Sequence, residues 1–104
     1  MQQITVQEFK KRIDAGEQLN ILDVREQHEY DEFNIGGKLL PLGRIQSMQV
    51  GEIEDWKEQE IIIYCRSGAR SQTAGMYLET MGFTNTKNLD GGMIAWQEQE
   101  RAVK

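Results

Sequence analysis

Apolar residues along this chain recur in short bursts with two different rhythms, and each change of rhythm marks a passage from strand to helix or back. The most continuous burst is Ile61-Ile62-Ile63-Tyr64, a largely β-branched run that ends abruptly at Cys65. Beyond a short Gly-containing loop, Ala74, Tyr77, Leu78 and Met81 fall at i, i+3, i+4 and i+7, which predicts a helix with one apolar face and a stop at Gly82. Upstream, Gln3-Ile4-Thr5 reads as a short edge strand. Thr5 and Glu8 then form a capping-box signature, and Val6, Phe9 and Ile13 mark a buried helical face that ends at Gly16.

Leu19 to Arg25 is a second strand, finishing in charge. Glu26 to Phe33 is polar and predicts a short helix or turn carrying His28. Gly36-Gly37 breaks the chain before a brief strand, Lys38 to Leu42, with Pro41 near its end, where a missing N–H matters least. Gly43 to Val50 is expected to be helical with Ile45 and Met48 apolar at i and i+3. Gly51 to Glu60 is expected to be an acidic surface connection or ragged helix, with Trp56 as a packing residue. Phe83 to Leu89 makes a last strand, Asp90-Gly91-Gly92 a turn, and Met93 and Trp96 one face of a closing helix. This alternation of strands and helices predicts an α/β fold with a mostly parallel sheet.

At 104 residues the chain is read as one domain, 1–104, large enough for a real core. Its formal net charge of -5 argues against nucleic acid and anionic membrane surfaces as partners, and no stretch has the length and apolarity to span a bilayer. An anionic substrate must therefore be drawn by a local positive site. A single cysteine excludes an intrachain disulfide, and a single histidine leaves no credible zinc cluster. With no basic region or apolar signal segment in Met1-Gln2-Gln3-Ile4-Thr5, a cytoplasmic location is the expectation.

The chemistry of interest is at Cys65. A strand, a tight loop and a helix N-terminus place its sulfur at the lip of the sheet beneath unpaired backbone N–H groups. Lowering an ordinary thiol far enough to hold a thiolate at neutral pH takes roughly 2.7 kcal/mol. A helix N-terminus gives at most about 2 kcal/mol, and Arg66, Arg70 and direct N–H donors to sulfur are expected to supply the rest. The competing reading is a buried cysteine acting as a small hydrophobe. Asp23 and Arg25 read as a structural ion pair, and His28, among Glu26, Glu29, Asp31 and Glu32, as part of a solvated face.

Leu22-Asp23-Val24-Arg25, Tyr64-Cys65-Arg66-Ser67-Gly68-Ala69-Arg70 and Leu89-Asp90-Gly91-Gly92 with Trp96 follow one another in an order that resembles the single-domain rhodanese (thiosulfate sulfurtransferase) family, from Ile4 to about Gln99. The resemblance implies a rhodanese-like α/β fold, a small mostly parallel sheet flanked by helices on both faces. It implies that Cys65 is a nucleophile cycling between thiolate and persulfide, with the backbone of Arg66, Ser67, Gly68, Ala69, Arg70 and Ser71 holding the sulfur's charge. Arg70, with Arg66, would receive the anionic end of a small sulfur donor such as thiosulfate. The acceptor would be cyanide, a thiol or a partner protein, with no cofactor and no metal. Asp23 and Arg25 match a structural motif, and Gly91 and Gly92 match a closing motif in which close backbone approach matters. Asn34 stands where many members carry histidine, which is expected to change local packing and not the sulfur chemistry. Two other readings stay open: a persulfide carrier or regulatory binding module, and a cysteine-dependent phosphatase or arsenate reductase. Related phosphatases place five residues between the cysteine and the arginine, whereas four separate Cys65 from Arg70.

Overall fold

The structure, a computed structural model, describes residues 1–102. Five strands, β1 (Gln2–Ile4), β2 (Asn20–Asp23), β3 (Lys38–Leu39), β4 (Glu60–Tyr64) and β5 (Asn85–Leu89), form one sheet in the order β1-β5-β4-β2-β3. Every pairing is parallel. Around it lie α1 (Val6–Asp14), α2 (Gln27–Glu32), α3 (Leu42–Gln46), α4 (Ala69–Thr80) and α5 (Gly92–Ala102), with a 3-10 helix over Gly51–Trp56.

The isoleucine run takes the middle of the sheet because a central parallel strand is covered on both faces and needs no polar side. Its alternation divides the core in two. Ile61, Ile63 and Cys65 pack with Leu22, Val24, Ile45, Ile53, Ala74 and Leu78 under α3, α4 and the 3-10 helix. Ile62 and Tyr64 point the other way, toward Val6, Phe9, Leu89 and Met93 of α1, β5 and α5. Helices therefore cover both faces, as the resemblance implies. Among the described residues no helix is long and apolar enough to cross a membrane.

Local signals explain the helix starts. In α1 the Thr5 hydroxyl accepts the Glu8 N–H while the Glu8 carboxylate accepts the Thr5 N–H, closing the expected capping box. Three expectations need correction. In α4 the buried positions are Ser71, Ala74, Gly75 and Leu78, and Tyr77 is 40% exposed. The face toward the sheet is offset because the side chain of Met1 occupies the space beside Gly75, where an added Cβ would lie 1.9 Å from its sulfur. The third strand stops at Leu39, and Pro41 is the N-cap of α3. Met48 lies beyond the end of α3, left-handed at φ 62° and exposed, so it has no part in the core face with Ile45. The acidic connection does contribute to the core, through fully buried Ile53 as well as partly buried Trp56.

Candidate active site

β4 carries Cys65 to the C-terminal edge of the sheet, and the chain turns over Arg66, Ser67 and Gly68 into α4. Gly68 is the N-cap of α4 and adopts φ 113°, a left-handed conformation that an L side chain rarely takes. It has no side chain with which to cap the helix. The sulfur of Cys65 takes that role, accepting the N–H of Gly68 at 3.1 Å and the N–H of Ser71, the third helical residue, at 3.4 Å. The Ser71 hydroxyl lies 3.4 Å from the same sulfur. The first-turn N–H groups of Ala69 and Arg70 have no acceptor among the described residues.

Cys65 is only 1% exposed and belongs to one face of the core, as a small hydrophobe would. The donors nevertheless converge on its sulfur. Burial pushes the thiol up, but the Ser71 hydroxyl, then the Ser71, Gly68 and Ser67 amides, outweigh it and bring the group below its ordinary value. The sulfur thus meets a site arranged for its anion.

Both of the chain's closing glycines serve this loop. Gly92 opens α5 at φ 55°, and its next two N–H groups, of Met93 and Ile94, donate to the carbonyls of Cys65 at 2.9 Å and Arg66 at 3.0 Å. A Cβ at Gly92 would sit 2.5 Å from the Cys65 carbonyl oxygen, so the approach needs a glycine. At Gly91 a Cβ would meet that of Ala95 at 2.6 Å. The carbonyls are thereby held by α5 while the N–H groups of the loop turn toward the sulfur.

On the other side of β4, Asp23 and Arg25 form a buried ion pair, Nη2 to Oδ2 2.8 Å. The Tyr64 hydroxyl donates to the same Asp23 carboxylate, and Arg25 Nη2 donates to the Phe33 carbonyl at 2.7 Å. Burial first, then the Asp23 carboxylate, push the Tyr64 phenol well above its usual value, so it stays protonated. These groups satisfy one another and brace the segment before β3. Asn34 does the same locally: its Oδ1 accepts the Gly36 N–H at 2.9 Å and its Nδ2 donates to Tyr30 O at 3.1 Å. His28 is exposed on α2.

The two arginines differ. Arg66 is exposed at the rim and pairs with no acidic group among the described residues. Arg70 is held by both oxygens of Glu29, at 2.7 and 2.9 Å. Glu29, which from sequence reads as part of a solvated acidic run, is thus drawn to the candidate site; the Glu26–Glu29 capping box fixes where α2 opens, but the spacing holds no signal for the contact with Arg70. Asn88 was also missed. It is buried on β5, where its Oδ1 accepts the Ser71 hydroxyl and its Nδ2 donates to Gln3 Oε1 at 3.0 Å.

The profile of the rhodanese-like domain matches residues 5–99. The chain is 38% identical over 95 residues to "Putative sulfur carrier protein YrkF" of Bacillus subtilis, covering 90% of this chain but only 50% of that protein. It is 32% identical over 106 residues to "Putative sulfurtransferase YtwF" of the same organism, covering 97% of this chain and 95% of the relative. The crystal structure of a rhodanese-like domain protein from Staphylococcus aureus superposes with a TM-score of 0.80 at 31% identity, covering 92% of this chain and 91% of that one. Cradle, sheet order and relatives agree, and the chain belongs to the rhodanese-like domain family, alongside its sulfurtransferase and sulfur-carrier members.

Proposed function

We propose that this protein moves sulfane sulfur through a persulfide on Cys65. The Cys65 thiolate attacks the outer sulfur of thiosulfate or a similar donor. The donor's S–S bond breaks, sulfite leaves with the electron pair, and Cys65 keeps the transferred sulfur. The terminal sulfur then passes to cyanide, a small thiol or a thiol on a partner protein. Splitting one transfer into two displacements is what nucleophilic catalysis achieves, and no general base is needed where the thiolate is already present.

The observation that carries this reading is the pair of N–H donors on the sulfur, from Gly68 and Ser71, with the Ser71 hydroxyl 3.4 Å away. The unpartnered N–H groups of Ala69 and Arg70 lie in the same turn and are suited to the second sulfur of a persulfide. Arg66, Ser67 and the rest of the loop to Ser71 would line the donor's approach. A reducing cytoplasm, where a lone thiol persists, is the setting this reading takes.

The test is Cys65→Ala, which keeps the fold and should abolish sulfur transfer from every donor; appreciable remaining turnover would refute the proposal. A carrier role is the second reading, favoured by the relative named as a sulfur carrier. Comparing Cys65 persulfide formation from thiosulfate, from glutathione persulfide and from a cysteine desulfurase separates the two. A carrier loads from the protein donor and turns over small molecules poorly.

A further inference from the structure

Resting on the sulfur-transfer reading above, we propose that Glu29 sets the donor class by cancelling the charge of Arg70. The site then favours an organic persulfide, whose leaving group is a singly charged thiolate, over thiosulfate, whose leaving group is doubly charged sulfite. Three features of the structure carry this.

Arg70 is the second residue of α4, in the turn that holds the sulfur, and the next residue, Ser71, donates its N–H to Cys65 Sγ at 3.4 Å. Its guanidinium is nevertheless gripped at both ends by the Glu29 carboxylate, 2.7 and 2.9 Å away. Glu29 is itself locked, because its Oε1 also accepts the Glu26 N–H at 3.0 Å as the closing half of the α2 capping box. The Arg70 guanidinium, partly opposed by burial, holds the Glu29 carboxyl down at about 2, so the clamp stays charged at any physiological pH.

The other charges near the mouth do not restore a positive field. Arg25 is consumed by Asp23. Arg66 is left, and it lines a groove of about 440 Å³ together with Glu29 and Glu32. A dianion entering that groove, beside the residue that follows Cys65 in the chain, meets one exposed arginine against Glu29 and Glu32, in a chain whose net charge is already -5.

The same groove offers carbon surface. Phe33 and Ile94, 46% and 40% exposed, and Met93 share its wall. An inorganic donor has no use for such a wall, whereas the organic group of a persulfide R–S–SH can rest on it. The transfer balances without another reagent. The Cys65 thiolate attacks the outer sulfur, the donor's S–S bond breaks, and a new S–S bond forms on Cys65. The thiolate R–S⁻ departs with the electron pair and takes a proton from water.

The test separates charge from chemistry. Cys65 is alkylated in parallel with iodoacetate, an anion, and iodoacetamide, its neutral counterpart, and the ratio of the two rates reads the field at the sulfur without any sulfur transfer. Glu29→Gln should raise that ratio by about threefold or more. Arg70→Met should lower it, and the double variant should return it toward the wild-type value, because the charges then cancel again. Glu29→Gln should likewise raise kcat/KM for thiosulfate relative to 2-mercaptoethanol persulfide. An unchanged ratio in all three variants overturns the proposal. So does a parallel fall in both rates at constant ratio, which is what a purely structural clamp would give. Should no donor load Cys65, the sulfur-transfer reading fails by itself, and the alkylation ratios still decide whether Glu29 governs the charge.

Discussion

Removing the Ser71 hydroxyl tests the cradle at its most specific point. Ser71 is fully buried, and its Oγ lies 3.4 Å from the Cys65 sulfur. It has one proton and three acceptors in reach: the sulfur, the Asn88 carbonyl oxygen and the Gly68 carbonyl at 3.1 Å. A hydrogen bond to a charged group contributes about 1.5–3 kcal/mol, and this competition puts Ser71 at the lower end, about 1.5 kcal/mol. In Ser71→Ala that is roughly a tenfold smaller thiolate fraction at low pH. A more basic thiolate is also a better nucleophile, with a Brønsted slope of about 0.4–0.5, which returns roughly threefold. Alkylation by iodoacetamide, followed against pH, should therefore be about three- to fourfold slower than wild type at the acid end. It should be about threefold faster at the alkaline end, so the two curves cross. A thermal melt run alongside reports the cost of leaving the Asn88 oxygen without its donor. Superimposable curves would refute the reasoning, and so would a uniform loss at every pH, which reports damaged packing instead of a lost hydrogen bond.

Three further outcomes follow from the same geometry. Gly92→Ala puts a Cβ 2.5 Å from the Cys65 carbonyl oxygen at a left-handed backbone position, so it should cost about 2 kcal/mol or more in denaturant unfolding and slow Cys65 alkylation as the loop shifts. Arg25→Met strands a buried Asp23 carboxylate with the Tyr64 hydroxyl and the Arg25 N–H as its remaining donors and should destabilise by about 3–5 kcal/mol; a loss below 1 kcal/mol would mean the pair is dispensable. Glu60 is held down at about 2, first by hydrogen bonds from Arg12, with burial opposing and Lys87 assisting. A depressed carboxylate gives stability that is present above its unfolded value and is lost as pH falls through the folded one. Glu60→Gln should therefore flatten the fall in stability between about pH 4.5 and 2, by up to about 3 kcal/mol, in acid titrations of the unfolding free energy.

What was legible in the sequence was local. The isoleucine run, the Thr5–Glu8 box and the turn at Asp90-Gly91-Gly92 each encode their structure within a few residues, and each was readable for that reason. The convergence of N–H groups on Cys65 follows from a strand, a glycine and a helix in succession. Long-range choices were not encoded that way. Whether Tyr77 or Gly75 faces the sheet depends on where the Met1 side chain lies, and Met1 is far away in the sequence. Glu29 reaches Arg70 across 41 positions and Ser71 finds Asn88 across 17, and no periodicity announces either pairing. By residue type alone, Arg66 and Arg70 both read as available charge. The structure shows that one of them already has its counterion.

The most direct measurement is the intact mass of the protein after brief incubation with thiosulfate and, separately, with an organic persulfide, followed by addition of cyanide. Sulfur transfer through Cys65 predicts one added sulfur atom per chain, absent in Cys65→Ala and removed by cyanide. A chain that gains no sulfur from either donor, or gains it equally with Cys65 replaced, would contradict the account.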